Sequence, residues 1–297
     1  MYLDSVLIHA RDGGLFQLSK TVFITGASSG FGLLTAIELA KANFHVYASM
    51  RNLDKKDNLL KQAHEANVKD RITILPLDVT SPADLATLKE WLKSVDGIDI
   101  LINNAGFAEG GFVEELTVEQ FEQQWSTNVF GLIAVTKLVI PYMRKRQSGK
   151  IINMSSISGR VGFPALSPYV TSKYAVEGFS ESLRLELKPF GIDVALIEPG
   201  SYDTSIWDVV DTIAEKSPAD SPYRFYLQQL LNQLKNEEKT FGDPKDVASL
   251  IVTLCQKRAL HKLRYPIGRG VKAALILKTI LPWRVWEKIV FSKLKQR

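Results

Sequence analysis

Tyr169 and Lys173 stand four residues apart in the stretch Lys150 to Ala175, KIINMSSISGRVGFPALSPYVTSKYA. The stretch turns helical after Pro168, which puts both side chains on one face. An ammonium held near a phenol favours the phenolate and lowers the tyrosine pKa, as suits a tyrosine that exchanges protons near neutrality. Ser155 and Ser156 follow an apolar run, Ile151, Ile152 and Met154, short enough for a buried strand. Strand ends are where an α/β fold gathers its reactive groups. Taken alone, Y-x-x-x-K is also the spacing of an ordinary solvated helix pair, so its surroundings decide its meaning.

The first of those surroundings is a phosphate-type turn. Thr21 to Thr25 reads as a buried strand and runs into Gly26-Ala27-Ser28-Ser29-Gly30-Phe31-Gly32, with helical apolar positions following at Leu33, Leu34, Ile37 and Leu39. A strand, a glycine turn and a helix N-terminus make an anion site, because free N–H groups and the helix dipole point at a phosphate. The spacing is T-G-x-x-x-G-x-G, not the common G-x-G-x-x-G, and a tight turn alone would use the same glycines.

A second strand, Phe44 to Ser49, ends in Met50-Arg51-Asn52. In a dinucleotide fold this end meets the adenosine ribose, where an acid would bind a free 2′-hydroxyl. Arg51 stands there instead, and its guanidinium suits a 2′-phosphate, with Ser28 and Ser29 as added donors. NADP(H) is therefore expected over NAD(H), against the plainer reading of Arg51 as the start of a solvated loop, RNLDKKDN. Further strands end in Asp78-Val79-Thr80 (Ile72 to Leu77), in Asn103-Asn104-Ala105-Gly106 (Ile98 to Ile102), in the two serines (Lys150 to Met154) and in Glu198-Pro199-Gly200 (Ile192 to Ile197). Asn128, a polar amide in the apolar WSTNVFGL, needs partners if buried; it binds either a neighbouring backbone or a water beside the tyrosine–lysine pair.

Strands alternate with helices from Thr21 to Ile197, among them Lys55 to Ala66 and Pro82 to Lys93, the latter with Ser81 as N-cap. That alternation predicts an α/β fold with one doubly wound parallel sheet (a Rossmann fold) in a single domain. The expected organisation is an extension over 1–19, a catalytic domain over 20–268 and a basic C-terminal extension over 269–297. Regularity fades over 201–240, where apolar Ile206, Trp207, Val209 and Val210 precede a helical run, RFYLQQLLNQLKNEE. Lying after a strand's carboxyl end, this segment is expected to lid the crevice. Asp243-Pro244 then starts a helix to about Gln256, and Leu263 to Ile267 reads as an edge strand holding a proline.

Composition narrows the chemistry. The four histidines, His9, His45, His64 and His261, form no ligand pair, and Cys255 is the sole cysteine, so a histidine base, a zinc site and an internal disulfide all have little support. Cys255 reads as a small buried hydrophobe. A reducing, cytoplasmic setting fits, with no signal-peptide pattern and no run of 18 apolar residues. The formal net charge of +5 is unevenly spread: from Lys257 onward twelve Lys or Arg face one acid, Glu287, while the rest of the chain is mildly acidic.

With these residues set out, the chain resembles the short-chain dehydrogenase/reductase family. The likeness rests on TGASSGFG (25–32), LDVT (77–80), NNAG (103–106), Asn128, SSISG (155–159), YVTSK (169–173) and EPG (198–200), in family order. It is similar above all to the 17β-hydroxysteroid and retinol dehydrogenase-like group. The resemblance implies a seven-stranded sheet, a nicotinamide cofactor and hydride exchange between an alcohol and a carbonyl. By position, Tyr169 would be the general acid/base, Lys173 would lower its pKa and bind the nicotinamide ribose, Ser156 would hold the substrate oxygen, and Asn128 would place a proton-relaying water. Gly26, Ser28, Ser29, Gly30, Phe31 and Gly32 would cradle the phosphates, and Asp78 and Val79 would border the adenine. Asn104, Ala105 and Gly106 would line the cofactor's middle, with Pro199, Gly200 and Thr204 at the nicotinamide.

The expected substrate is a small lipophilic alcohol or carbonyl compound, steroid-, retinoid- or fatty-carbonyl-like, and the chain is expected to form a homo-oligomer. A non-catalytic NADP(H)-sensing or interaction protein on the same fold is the alternative. In the tail, Trp283, Trp286, Ile289, Val290, Phe291 and Leu294 recur at near-helical spacing among basic residues. Such a helix lies on an anionic membrane or packs on protein; no nucleic-acid module is visible.

Overall fold

Seven short apolar runs form one parallel sheet in the order β3-β2-β1-β4-β5-β6-β7. The computed structural model describes residues 19–204, 209, 213, 215, 217–238 and 240–294. The strands are β1 (Thr21–Ile24), β2 (His45–Met50), β3 (Ile72–Pro76), β4 (Ile100–Asn103), β5 (Gly149–Met154), β6 (Ile192–Pro199) and β7 (Arg264–Ile267). Each pairs in parallel with its neighbours, and the order reverses direction at β1, between β2 and β4. A crevice opens beyond the strand ends at such a reversal. The expected α/β doubly wound fold is what the chain adopts.

The core explains why the strands read as unbroken apolar runs. Successive side chains point to opposite faces, and both faces are covered. Val22 and Ile24 pack with α1 (Gly30–Lys41), α2 (Lys56–Glu65) and the later helix Pro244–Gln256, while Phe23 packs with α3 (Pro82–Ser94) and α5 (Leu132–Lys145) on the far side. The same helix pair α1 and Pro244–Gln256 buries Cys255 completely, as expected of a small hydrophobe. Ser81 caps α3 by accepting from Asp84 N, and Asp243 caps Pro244–Gln256 by accepting from Lys245 N.

Between α4 (Val118–Trp125) and α5 the helix loosens into a π-helical turn, Ser126–Gly131, that contains Asn128. The helical stretch Val118–Lys145 is long and apolar enough to cross a membrane by length and composition alone. Its Val135, Val139 and Met143 are instead fully buried against the sheet, as in a core helix. Helix α6 (Ser167–Leu187) follows β5 and carries Tyr169 and Lys173. A buried amide ladder locks these elements together: Asn103 Nδ2 donates to Thr136 Oγ1 and Asn153 Oδ1, both at 2.8 Å, and Asn153 Nδ2 donates to Ser180 Oγ at 2.8 Å.

The later chain keeps the helical run expected within 201–240 and departs from expectation in the tail. Of the segment 201–240, the described part is helix α7 (Arg224–Glu238) with Val209 and Ile213 packed against Phe112, Ala165 and Leu227; Ile206, Trp207 and Val210 lie outside the described residues, as do residues 1–18. After Pro244–Gln256, here α8, the tail forms two helices and not one: α9 (Val271–Ile280) and α10 (Trp283–Leu294). The break falls at Pro282, which lacks the N–H a continuing helix needs.

Candidate active site

The glycine turn closes because two positions admit no side chain. Gly26 has φ +69°, and a Cβ there would stand 2.7 Å from Ala105 Cα. A Cβ on Gly32 would stand 2.2 Å from Gly26 O and 2.5 Å from Asn104 Nδ2. Asn104 fills the gap, donating to Thr25 O and Gly26 O, and so ties the end of β4 to the end of β1. Helix α1 begins here with Ser29 as N-cap and no side-chain capping bond. Its first N–H groups and the positive end of its dipole face the crevice.

A cavity of about 630 Å³ runs along these strand ends. Its walls include Gly26, Ser28, Ser29, Gly30, Phe31, Arg51, Asp78, Val79, Asn104, Ala105, Gly106, Tyr169, Lys173 and Thr204, which the sequence had pointed to. Gly32, Asn128, Ser156, Pro199 and Gly200, also pointed to by the sequence, are not part of this lining. Gly200 is held from the other side, where a Cβ would meet Val271 Cγ2 at 2.5 Å. The cavity also takes in residues that sequence reasoning passed over. Asn52 and Lys55 join Arg51 on the wall, although RNLDKKDN looks like solvated loop; Phe107, Ala108 and Thr127 join elsewhere. The basic run itself was the available signal for Lys55.

Tyr169 and Lys173 are both buried, and Lys173 Nζ lies 5.5 Å from the Tyr169 ring centre while donating to Met154 O at 2.8 Å. Ser156 Oγ bonds the Tyr169 phenol, accepts from Ser158 N at 3.1 Å and donates to Pro199 O at 3.5 Å. The expected lowering of the tyrosine pKa does not appear in this environment. Burial pushes the Tyr169 phenol up to about 12, with Ser156 acting the other way. Burial also brings Lys173 itself down to about 8, opposed by the Glu177 carboxylate.

Asn128 bonds a neighbouring backbone, the first of the two expected possibilities. Its Oδ1 accepts from Phe107 N, and its Nδ2 donates to Phe107 O and Ser172 Oγ. The amide therefore clamps the loop after β4 onto α6. Gly106 is needed alongside, since a Cβ there would stand 2.9 Å from Asn128 Oδ1.

Beneath the cavity floor lies a charge cluster without any local sequence signal. Ser155 Oγ donates to Glu177 Oε1 at 2.5 Å, and Arg264 Nε donates to Glu177 Oε2 at 2.8 Å. Arg264 also reaches Glu181 at 2.8 Å and Glu198 at 3.5 Å, and Arg160 reaches Glu198 at 3.3 Å. Glu198 is fully buried, with Oε2 unpartnered among the described residues. Burial first, and then the neighbouring Glu177, push its carboxyl up to about 7.

The chain belongs to the short-chain dehydrogenase family, which it matches over residues 20–213. It is 50% identical over 276 residues to the uncharacterized oxidoreductase YusZ of Bacillus subtilis, spanning 93% of this chain and 98% of that one. It is 37% identical to a 3-ketodihydrosphingosine reductase of Bacteroides thetaiotaomicron, covering 80% of this chain and 84% of the other. Against retinol dehydrogenase 8 of Bos taurus the identity is 35%, with 84% and 80% covered. Among solved structures, an actinorhodin polyketide ketoreductase variant with NADPH superposes with a TM-score of 0.72 at 28% identity, covering 85% of this chain and 97% of that one. The protein is thus an oxidoreductase acting on CH–OH and C=O groups, with retinol dehydrogenase-like relatives.

Proposed function

We propose that the protein is an NADP(H)-dependent reductase or dehydrogenase of a lipophilic alcohol/carbonyl pair, with Ser156, Tyr169, Lys173 and Asn128 as its working residues. The observation that carries the reading is the shared cavity: one set of walls holds the glycine turn, Arg51 and Lys55 together with buried Tyr169 and Lys173. A nicotinamide dinucleotide fits the donor set: the glycine turn packs closely enough on Ala105 and Asn104 to leave the N-terminus of α1 at the cavity for a phosphate, and Arg51 and Lys55 on the same wall suit a 2′-phosphate. Gly26, Ser28, Ser29, Gly30, Phe31 and Gly32 are the phosphate residues in this reading. Asp78 and Val79 border the base, Asn104, Ala105 and Gly106 the middle, and Pro199, Gly200 and Thr204 the nicotinamide. When bound, the nicotinamide supplies or takes the hydride.

The protein's own residues handle the proton and the oxygen. With its phenol pushed up to about 12, Tyr169 is protonated at neutral pH, the form a general acid needs to protonate a carbonyl oxygen. Ser156, bonded to that phenol, holds the same oxygen. Lys173, at about 8, is mostly ammonium at pH 7, and its charge favours the phenolate left after transfer. Both Nδ2 hydrogens of Asn128 are committed, so a relay water would be held through one of its oxygens. Carbonyl reduction is the favoured direction in this reading, because cells keep NADP largely reduced.

Val209 on the cavity wall and the apolar cluster of Phe112, Ile213, Leu227, Tyr223 and Tyr226 support a lid over 201–240 and a lipophilic substrate. The retinol and ketodihydrosphingosine named for two relatives are of that kind. The same reading includes the catalytic domain over 20–268, a cytoplasmic setting and a homo-oligomer. The exposed Val118, Phe130 and Leu185 on neighbouring α4, π-turn and α6 support self-association. The test is NADPH oxidation against a panel of long-chain and polycyclic ketones and aldehydes. Turnover surviving intact in Tyr169→Phe sinks the mechanism, and NADPH binding without turnover on any carbonyl favours the sensing alternative.

A further inference from the structure

The C-terminal helices show two unlike faces. On the inner side, Val271, Leu275 and Trp286 are buried against Val161 and Ile157, so this part of the tail packs on its own body. On the outer side, Ile276, Leu277 and Ile280 follow one another at helical spacing along α9, and Trp283 stands just past the Pro282 break. Their exposures are 58%, 46%, 72% and 62%. Side chains of this size on one helix face are not scattered surface apolar residues but a contiguous ridge. Cations flank the ridge: Lys272 on α9, Arg284 and Lys288 on α10, and Lys278, whose Nζ lies 3.8 Å from the Trp283 ring centre. Glu287 is the sole acid from Lys257 to the C-terminus.

We infer that this ridge docks on an anionic phospholipid bilayer, with Ile276, Leu277, Ile280 and Trp283 in the interfacial layer and the flanking cations at the lipid phosphates. Charge selects this occupant over a second copy of the chain. A two-fold contact across the ridge would bring the flanking cations of one copy, Lys272, Arg284 and Lys288, towards those of the other, at like-charge cost. Shape and composition select it over a folded acidic partner. The ridge is a convex helix face with a tryptophan at its edge, which suits insertion among headgroups, whereas a protein interface needs a matching pocket. Helix α10 also packs on α7 of the lid segment, where the Tyr226 and Phe291 rings stack with centroids 6.5 Å apart. A docked bilayer would thus adjoin the segment proposed to cover the crevice. The docking rests only on the outer face of the tail and stands whether or not the catalytic reading does.

The experiment is co-sedimentation of the full chain with two kinds of vesicle, pure phosphatidylcholine and two parts phosphatidylcholine to one part phosphatidylglycerol. Two variants accompany it: Ile276→Ser/Ile280→Ser/Trp283→Ser, and Lys272→Glu/Arg284→Glu/Lys288→Glu, all at exposed positions, with thermal melts to show that both fold. The native chain is expected to pellet with the anionic vesicles and to release as salt rises. Each cation near such a surface contributes about fivefold in affinity, so the charge variant is expected to lose about a hundredfold or more. The apolar variant is expected to lose binding to the anionic vesicles as well. Native protein that stays in the supernatant with anionic vesicles overturns the inference, as does folded charge-variant protein that binds them equally. A native dimer that the apolar variant turns into monomer, without vesicle binding, overturns it in favour of the second copy. Retention on polyglutamate without vesicle binding overturns it in favour of an acidic protein surface.

Discussion

The glycine-turn half of the molecule and the C-terminal half are built on opposite terms. Around β1 and β4 the backbone does the fitting: Gly26, Gly32 and Gly106 each stand where a Cβ would strike a neighbour within 2.9 Å. Large apolar side chains there, such as Phe23, Ile24 and Ile102, are fully buried. Around α9 and α10 side chains do the fitting, and several large ones face outward. The difference teaches where each half tolerates change. The first half would meet a ligand through backbone that has no room to shift, whereas the second, in the proposed docking, would meet its partner through exposed side chains.

The largest effect should come from the chemistry lodged in the first half. Tyr169→Phe removes the proton donor while leaving the ring that Lys173 faces, and steady-state assays should find kcat lower by about 10²- to 10⁴-fold with NADPH affinity kept. Next is Gly32→Ala, whose Cβ would stand 2.2 Å from Gly26 O. NADPH affinity by fluorescence titration should fall by tenfold or more, with a destabilisation of about 2 kcal/mol in thermal or urea melts. Arg51→Ala should weaken NADPH about tenfold, as expected for losing a hydrogen bond to a charged group, and leave NADH unchanged. Equal losses for both would remove the 2′-phosphate assignment and sharpen attention on Lys55.

Smaller effects follow from the buried charges. The Lys173 ammonium, brought down to about 8, should be lost as pH rises, so the reductive rate should decline through about pH 8. Glu177→Gln removes the carboxylate that holds Lys173 up and should move that decline to lower pH. Glu198 in the folded protein binds its proton up to about pH 7, well above an unfolded glutamate. The stability this proton contributes is full below about pH 4 and lost as pH rises through 7. Glu198→Gln, which cannot ionise, should therefore gain about 1–2 kcal/mol relative to the native chain between pH 5 and pH 8. Smallest of all, Ile280→Ser should leave NADPH affinity and thermal midpoint within error. A change in either would break the contrast between the halves.

Much of the first half was legible because its signals are local. The turn from Gly26 to Gly32, the spacing of Tyr169 and Lys173, and the unbroken apolar strands each lie within a few residues. Six strands were anticipated within two residues at either end, and the proline-bearing seventh sits at the sheet edge as expected. The π-helical turn was not legible, since it follows from the fit of Asn128 between Phe107 and Ser172. Nor was the upward shift of the Tyr169 pKa legible. Spacing places an ammonium nearby, but only the fold decides that burial outweighs it. Lys55 hid inside a run that looks solvated, and the partnership of Glu177 with Arg264 spans 87 residues. The tail's period was visible, but which face turned inward depended on Val161 and Ile157, far upstream.

Arg264 has one more consequence, for the order in which the molecule can be completed. It sits on the edge strand β7, beyond the region that the family match covers, and is the cation that Glu177, Glu181 and Glu198 share. During synthesis the chain emerges N-terminus first, and every recognisable family motif is out before Arg264 is. Until then, α6 and β6 bring two acids into the interior with Arg160 as their nearby cation. Until β7 has emerged, α6 therefore lacks the cation that its Glu177 and Glu181 share in the folded protein. A fragment ending near residue 213 would carry all the proposed catalytic residues and still lack the arginine that Glu177, Glu181 and Glu198 share.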